Sequence, residues 1–241
     1  MSDDPKRTAW DHSVCTACGK CVPVCRADAR AIAGTPRTVD EIVRICVSDR
    51  MFYEESGGGV TLSGGEVMMQ NTEFLLTLLR ALKNEDISVN IDTCGYVAFE
   101  KLKAVAPYVD TFLYDIKSAD TKKHRNCTGV GGELIISNLH RLSDSGAKID
   151  IRIPVMAPAD KNDAFDGANF TDEDINGIIK ILRDTKYRRV CLLPYHNTGE
   201  YKRASLGYES TGRFATPSPN DLERIKTRLT SAGITPVVIG G

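Results

Sequence analysis

The sequence predicts an α/β protein built from parallel strands joined by helices. Six short apolar segments with strand-like composition recur along the 241 residues, amphipathic segments with helical spacing lie between them, and polar or glycine-rich residues follow several strands. Two parallel strands need a long crossover, usually a helix, so this alternation favours a parallel sheet. The length is sufficient for one such domain with a small appendage.

The predicted elements follow from local patterns. A first helix is predicted to open at Thr38 as N-cap, with Glu41 completing a capping box, and to run to Glu55 before Ser56 and three glycines end it. The strands are predicted at residues 60–62, 87–92, 111–116, 147–155, 188–195 and 235–239, and the further helices at 71–85, 97–108, 133–146, 172–185 and 219–233, the last opened by Ser218 and Pro219. Periodicity does not separate an open doubly wound sheet from a partial barrel.

Polar residues follow the predicted strands at their carboxyl ends. They are Ser63, Gly64, Gly65 and Glu66 after the first strand, Asp92, Thr93, Cys94 and Gly95 at the second, Asp115 and Lys117 at the third, Arg152 in the fourth and His196 after the fifth. Both candidate architectures place their active site at this end of the strands. We therefore expect these residues to converge on one rim, meaning the edge of the sheet where the strands end.

Composition argues against several functional classes. The 31 basic and 32 acidic residues give a net charge of −1, and neither sign forms a long block that would indicate a nucleic-acid or membrane partner. The first twenty residues contain no apolar segment, and no later stretch approaches the roughly 18 apolar residues that a membrane helix needs. The sequence therefore predicts a soluble cytoplasmic protein.

Four of the eight cysteines lie close together, at Cys15, Cys18, Cys21 and Cys25. The spacing C-x2-C-x2-C-x3-C is that of bacterial ferredoxins, in which three thiolates of a tight loop hold one iron–sulfur cluster. A zinc site prefers two separated cysteine pairs or histidine partners, so the iron–sulfur interpretation is favoured. The run thus predicts a 4Fe-4S cluster.

Two features of this cysteine run leave its role open. The fourth cysteine of a ferredoxin run normally ligates a second cluster, for which the sequence has no second run, and Arg26 replaces the usual proline after it. The cluster is therefore expected to be incomplete or labile. An electron relay and a structural staple are both compatible with the pattern.

Ordered motifs extend from the cysteine run to the C-terminus: TVDEIV, SGGGVTLSGGE, DTCGY, FLYDIK, IRIPV, LLPYHNTGEYK and VVIGG. In this order they resemble the radical S-adenosylmethionine (SAM) enzymes that activate glycyl radical enzymes, the family of pyruvate formate-lyase activase. The resemblance implies an incomplete radical SAM-type (βα) partial barrel over residues 37–241. It also implies that residues 1–36 are the remnant of a ferredoxin-like iron–sulfur insert.

The resemblance further implies the residues of a SAM pocket. In the family the SGGE motif contacts the amino group of SAM, which by position assigns Gly64, Gly65 and Glu66 to that role. The other matching pocket positions are Asp92, Asp115, Ile116, Lys117, Arg152 and His196. Carboxylates and cations at one rim suit the charged groups of SAM. Taken singly, Asp115 and Lys117 are also explained as an ion pair, and His196 as a surface histidine.

The family's chemistry depends on a C-x3-C-x2-C triad, which binds a cluster through three thiolates and leaves one iron open to SAM. One-electron reduction then cleaves SAM to a radical that takes hydrogen from a glycine of the partner. This spacing is absent from the 241 residues, in which Cys18, Cys21 and Cys25 give C-x2-C-x3-C instead. The sequence therefore predicts an N-terminally truncated member that is impaired in generating the radical, and no catalytic residue is assigned.

The partners implied by the resemblance are a glycyl radical enzyme as protein substrate and a flavodoxin or ferredoxin-type electron donor. Two other interpretations stay open: a non-catalytic iron–sulfur or SAM-binding module, and an unstable fragment with an exposed sheet edge. The aperiodic segment 157–171 is either a surface loop or a loop that contacts substrate or partner.

Overall fold

The computed structural model describes residues 14–32, 34–159, 169–199 and 214–240. The chain divides into two units, one comprising Met1–Thr38 with Asn197–Thr211 and the other Val39–His196 with Gly212–Gly241. The strands and helices named below belong to the second unit. Residues 160–168, which form most of the predicted aperiodic segment, lie outside the described residues.

Six parallel strands form one sheet in the second unit. In their order across the sheet they are β1 (Val60–Leu62), β2 (Val89–Thr93), β3 (Thr111–Asp115), β4 (Ile149–Val155), β6 (Arg189–Pro194) and β8 (Val237–Ile239). The register places Asp115 of β3 beside Arg152 of β4. A separate antiparallel pair joins β5 (Ala157–Pro158) to β7 (Phe214–Ala215). The predicted α/β class is confirmed.

The strand order decides between the two architectures that periodicity leaves open. The six strands follow chain order across the sheet without a reversal. Because parallel crossovers are right-handed, an unreversed order places the crossover helices on one face, as in a (βα) barrel. A doubly wound sheet instead reverses at a switch point. The sheet is therefore the wall of a partial barrel.

The helices of the described residues separate these strands. They are α1 (Val39–Ser48), α2 (Arg50–Ser56), α3 (Thr72–Asn84), α4 (Phe99–Val105), α5 (Thr121–Thr128), α6 (Glu133–Asp144), α7 (Asp172–Arg183) and α8 (Pro219–Ser231). Ser218 and Asp221 form a capping box at α8 with Pro219 in the first turn, as predicted for its start. Within the described ranges, none of the helices has the length and apolar character needed to cross a membrane.

The first predicted helix is wrong in one respect, because the chain divides it at Asp49. There the backbone turns to φ −98° and ψ 9°, and the Asp49 N–H bonds the Cys46 carbonyl three residues back. Ser48 also donates its hydroxyl to the Ile45 carbonyl at 2.6 Å. Short polar side chains compete with the helical backbone in this way, which explains the break between α1 and α2.

Helix α5 and the β5–β7 pair are not predicted by the sequence pattern. Helix α5 is polar and buries only His124, so it lacks the apolar stripe that periodicity detects. Asp120 begins the helix by accepting a hydrogen bond from the Lys123 N–H at 2.8 Å. The helix therefore depends on its cap and on the one buried histidine.

The core lies between the sheet and the helices. Strand β2 alternates buried Val89, Ile91 and Thr93 with half-buried residues, and α3 presents Leu75, Leu79 and Leu82 on its buried face. Full burial of one such aliphatic side chain contributes roughly 1.5–3 kcal/mol. This packing fixes the strands, and therefore fixes where the polar residues at their carboxyl ends are placed.

Candidate functional site

The carboxyl ends of the first three strands surround a cavity of about 200 Å³. Its lining residues are Ser63, Gly64, Gly65, Glu66, Asp92, Thr93, Cys94, Asp115 and Lys117. The structure thus brings together the strand-end residues that the sequence predicts to converge from these three strands. Three carboxylates and an ammonium group at one concave site suit a ligand that carries both positive and negative groups.

The turn after β1 leaves its backbone open to the cavity. Gly64 has a φ of +147°, a conformation that L side chains rarely adopt, and a Cβ atom on Gly64 or Gly65 would meet no atom within 4 Å. Because both glycines line the cavity, a ligand can approach the main chain closely at this turn.

The Glu66 carboxylate is held by the turn that follows β2. Its Oε1 atom accepts hydrogen bonds from Thr93 Oγ1 at 2.8 Å and from the Met68 N–H at 3.1 Å. Its Oε2 atom accepts one from the Cys94 N–H at 2.8 Å. An ionised carboxylate has about four acceptor positions, so these three bonds leave room for one further donor. Glu66 is therefore fixed in orientation and can still bind a ligand.

Two cations neutralise the other two carboxylates of the cavity. Arg152 Nη1 lies 2.9 Å from Asp92 Oδ2, and Arg152 Nε lies 3.6 Å from Asp115 Oδ1. Lys117 Nζ donates to Asp115 Oδ2 at 3.0 Å, which is the ion pair anticipated for these two residues. Ser63 Oγ donates to Asp92 Oδ2 at 2.9 Å. The charges of β2, β3 and β4 thus form one network.

One oxygen of this network has no hydrogen-bond partner among the described residues. Asp115 Oδ1 is buried, and its nearest cation, Arg152 Nε, is at 3.6 Å, which is beyond hydrogen-bond range. A buried acceptor without a donor is costly, and the positive charge of Arg152 offsets part of that cost.

Asn169 is a site residue that the sequence pattern does not single out. It is fully buried, and its Nδ2 donates to the Lys117 carbonyl at 2.7 Å and to the Pro154 carbonyl at 2.6 Å, while its Oδ1 accepts from the Met156 N–H at 2.8 Å. One side chain therefore ties the exits of β3 and β4 together and sets the backbone position of Lys117.

Three predicted pocket residues, Ile116, Arg152 and His196, do not line the cavity. Arg152 instead pairs with the lining carboxylates Asp92 and Asp115. Ile116 is 2% exposed, packs in the core, and donates its N–H to the Arg152 carbonyl at 2.8 Å. His196 is exposed and follows the end of β6. Their contact with a ligand stays a prediction.

Two titratable groups beside the cavity are shifted by burial. Burial, followed by hydrogen bonding with Glu66, raises the pKa of the Cys94 thiol. Burial also raises the pKa of Tyr114, whose hydroxyl donates to the Ile135 carbonyl at 2.7 Å. Both groups are therefore neutral at physiological pH, and the charge of the cavity comes from its carboxylates and cations.

The cysteine run lies in the other unit and has its own electrostatics. Cys15, Cys18 and Cys21 are exposed, and Cys25 is partly exposed. Hydrogen bonding with the Lys20 backbone, then with the Thr16 side chain, lowers the pKa of Cys18. Hydrogen bonding with the Ala27 and Ala29 backbone lowers the pKa of Cys25. Backbone donors that stabilise thiolates suit an iron–sulfur loop, since the thiolate is the metal ligand.

The geometry of these thiols is not that of a closed metal site. In the described part of the chain, no three histidine, cysteine, aspartate or glutamate side chains are gathered so that they could hold a metal ion. The chemistry of the four cysteines fits a cluster, and their side chains would have to converge around it.

Known proteins resemble both units. Residues 8–31 match the family model of the 4Fe-4S binding domain. The trans-4-hydroxy-L-proline dehydratase activating enzyme of Clostridioides difficile is 42% identical over 89% of this chain and 68% of its own length. The choline trimethylamine-lyase activating enzyme of Oleidesulfovibrio alaskensis is 40% identical over 90% of this chain and 79% of its own length.

Solved structures share the fold. A domain of the pyruvate-formate lyase-activating enzyme from Bacteroides vulgatus matches over 77% of this chain and all of its own, with 27% identity and a TM-score of 0.62. Streptococcus suis SuiB bound to S-adenosylmethionine matches over 88% of this chain and 45% of its own chain, with a TM-score of 0.62. Because the two sequences are only 17% identical, this match shows a shared fold and nothing further.

Proposed function

Because the chain belongs to the radical SAM activating enzymes of glycyl radical enzymes, we propose that the cavity at the ends of β1, β2 and β3 binds SAM. Members of this family use an iron–sulfur cluster and SAM, and they act as oxidoreductases on a glycyl radical enzyme. The observation that carries the assignment is that Glu66, Asp92, Asp115 and Lys117 line one cavity. Arg152 pairs with two of these carboxylates, and Lys117 with one of them.

The residues of the cavity match the groups of SAM. The amino group is proposed to donate to Glu66, to the acceptor position that its three protein donors leave. Gly64 and Gly65 let the methionine part approach the main chain, and Lys117 or Arg152 faces its carboxylate. Ile116 and His196 match family positions of the SAM pocket, and they are proposed to contact SAM.

The enclosed volume limits how much of the ligand is surrounded. Pockets for ligands of drug size hold roughly 300–1,000 Å³, and this cavity holds about 200 Å³. We therefore propose that the cavity encloses the amino-acid end of SAM and that the adenosine end lies toward the open side of the cavity.

A SAM titration tests this site. Isothermal titration of the 241-residue chain is expected to give saturable binding, and Glu66→Gln is expected to weaken it about tenfold by removing the charge that faces the ammonium group. Glu73→Gln is the matched control, because Glu73 is an exposed glutamate in the first turn of α3. Absence of binding by the unaltered chain, or equal binding by Glu66→Gln, contradicts the assignment.

We propose that Cys15, Cys18, Cys21 and Cys25 hold the 4Fe-4S cluster and that residues 1–36 form the ferredoxin-like segment, with the radical SAM-type domain at 37–241. The match of residues 8–31 to the 4Fe-4S binding domain supports this, and so do the lowered pKa values of Cys18 and Cys25. An iron–sulfur site with reduced thiols favours a cytoplasmic location.

Anaerobic reconstitution tests the cluster. After addition of iron and sulfide, the chain is expected to show cluster absorbance in the visible range and an EPR signal on reduction, and Cys18→Ser is expected to lose most of both. Cys127→Ser is the control, since it removes one cysteine outside the run. Equal cluster content in the two variants would exclude the run as the ligand set.

The chain alone is proposed not to cleave SAM, because its 241 residues contain no C-x3-C-x2-C. When a triad-bound cluster is present, reductive cleavage of SAM is the chemistry that it supplies. The protein substrate is a glycyl radical enzyme, and the proposed electron donor is a flavodoxin or ferredoxin. The same missing motif favours a second candidate function, a module that binds SAM and a cluster without turnover.

A product assay separates these two functions. The reconstituted chain is incubated anaerobically with dithionite and SAM, and 5′-deoxyadenosine is measured by chromatography. We expect none above a control without reductant. Formation of 5′-deoxyadenosine would show that this chain can cleave SAM and would contradict the proposed loss of radical formation. The titration described above measures SAM binding independently of turnover.

A further inference from the structure

We propose that Asn138 of α6 is a positioning residue for the cavity, which it does not line: it sets the turn after β2 and, through that turn, the orientation of Glu66. The inference rests on the proposed SAM site. Asn138 has no exposed surface and lies in the middle of its helix.

The Asn138 side chain is committed to a single turn. Its Nδ2 donates to the Gly95 carbonyl at 2.8 Å and to the Val97 carbonyl at 2.7 Å. Its Oδ1 is buried and has no hydrogen-bond partner among the described residues. A buried amide with an unused oxygen is costly, so the benefit of this residue lies in its two donors. Only the NH2 group satisfies two neighbouring carbonyl oxygens from one position.

The turn that Asn138 holds packs closely against Tyr114. Gly95 has a φ of +71°, and a Cβ atom at this position would lie 1.8 Å from the Tyr114 hydroxyl. That hydroxyl donates to the Ile135 carbonyl, one helical turn before Asn138. The turn is therefore pressed against β3 and α6 at its base while its other side faces the cavity.

The same turn supplies two of the three donors that fix Glu66. The Gly95 N–H donates to Thr93 Oγ1 at 2.9 Å, and that hydroxyl donates to Glu66 Oε1. The Cys94 N–H donates to Glu66 Oε2. Asn138 therefore acts on Glu66 by two routes. One consists of three hydrogen bonds, through Gly95 and Thr93, and the other runs from Gly95 along the backbone to the Cys94 N–H.

A purely structural role for Asn138 makes a different prediction. If the side chain only supported folding, its loss would lower stability and leave SAM affinity and the turn unchanged in the folded protein. Ser143 provides the matched control, because it is buried in the same helix and exchanges hydrogen bonds with the Lys186 backbone, 2.6 Å from its nitrogen. Ser143 is not among the residues that line the cavity, and the hydrogen bonds of its side chain with Lys186 lie on another loop of the described chain.

The test compares Asn138→Ala, Asn138→Asp and Ser143→Ala in the 241-residue chain. SAM affinity is expected to fall about tenfold in Asn138→Ala, and further in Asn138→Asp, where an oxygen would face two carbonyl oxygens. Ser143→Ala is expected to keep the affinity of the unaltered chain. Equal affinity in folded Asn138→Ala overturns the inference, whereas failure of the unaltered chain to bind SAM overturns the proposed function instead.

Two measurements test the turn without SAM. Peptide-resolved alkylation of Cys94 by iodoacetamide is expected to be several-fold faster in Asn138→Ala than in Ser143→Ala, because the turn is released. In the unaltered chain, the Cys94 amide is expected to exchange slowly with deuterium although its residue lines the cavity. Rapid exchange of this amide in the folded chain contradicts the inference even where the variants do not fold.

Discussion

Arg152 of β4 reaches across β3 to Asp92 of β2, with 2.9 Å between Nη1 and Oδ2. The guanidinium group also faces Asp115 of β3 at 3.6 Å, so one side chain serves carboxylates on two neighbouring strands. The three side chains are 17–26% exposed, so water screens their charges less than it screens the charges of fully exposed side chains. Arg152 therefore supports two carboxylates that line the cavity, in addition to being a proposed ligand contact.

Loss of this arginine should destabilise the fold. Arg152→Met leaves Asp92 without its cation and Asp115 with Lys117 alone, so the free energy of unfolding is expected to fall by about 1–3 kcal/mol, below the cost of breaking a fully buried pair. Urea unfolding measures the change. Arg183→Met, at an exposed position in α7, is expected to stay within about 0.5 kcal/mol. Equal stability of the two variants contradicts the network.

Asn169 should be among the most sensitive polar residues of the described chain. Asn169→Ala removes donors from the Lys117 and Pro154 carbonyls and an acceptor from the Met156 N–H, and is expected to cost about 2–4 kcal/mol in urea unfolding. The control is Asn176→Ala, since Asn176 is exposed in α7 and its side chain accepts hydrogen bonds from the exposed Arg228. A loss below about 1 kcal/mol would contradict the role of Asn169.

Gly95 and Gly146 separate backbone strain from steric conflict. Both have positive φ, +71° and +83°, but a Cβ atom on Gly146 would meet no atom within 4 Å, whereas on Gly95 it would strike the Tyr114 hydroxyl. Gly146→Ala is expected to cost about 1 kcal/mol, and Gly95→Ala more than about 3 kcal/mol because the turn must move. Thermal or urea unfolding of the two variants compares the costs directly. Similar losses contradict the packing of the turn against Tyr114.

We expect Asp110 to account for part of the loss of stability of the fold at acid pH. Burial works to raise its pKa, but hydrogen bonds from Lys83 and from the Val89 N–H outweigh it and lower the pKa below the ordinary value of 3.8. A carboxyl group with a lowered folded-state pKa stabilises above its unfolded pKa and loses that contribution as pH falls through the folded value. The effect is expected to be at most about 1 kcal/mol, because the pair is about one-third exposed.

The measurement for Asp110 is unfolding free energy against pH. Between about pH 5 and pH 2, the unaltered chain is expected to lose more stability than Asp110→Asn, and the two should converge at the acid end. Asp86→Asn, which removes an exposed carboxylate nearby, should keep the unaltered profile. Parallel profiles for the unaltered chain and Asp110→Asn would count against the lowered pKa.

Much of the fold could be predicted from the pattern of apolar residues. Strand β1 begins and ends where predicted, β3 begins where predicted, and the other sheet strands begin one or two residues later than predicted. The break at Asp49 and the helix α5 could not be predicted in the same way. Both depend on local hydrogen bonding by short polar side chains, which an apolar stripe does not report.

The site residues at the ends of strands could be predicted from the sequence, whereas those contributed by a helix were harder to predict. Asp92 and Asp115 lie at the carboxyl ends of β2 and β3, and Glu66 lies in the turn after β1, so their convergence follows from the parallel sheet. Asn138 stands at helical spacing among Ile135, Leu139 and Leu142 on the buried face of α6. A polar residue within an apolar stripe was therefore the sequence feature that could have identified Asn138. The sequence pattern does not indicate to which carbonyl groups its side chain donates.

The unreversed strand order has a thermodynamic consequence for any ligand of the cavity. Glu66, Thr93, Asp115 and Arg152 come from four successive strand-and-helix units, so the binding energy of a ligand that touches them is shared among all four. None of these units can open locally without releasing the ligand. A ligand at one hundred times its Kd stabilises a fold by about 2.7 kcal/mol. Such a ligand would therefore slow proteolysis at sites in all four units together.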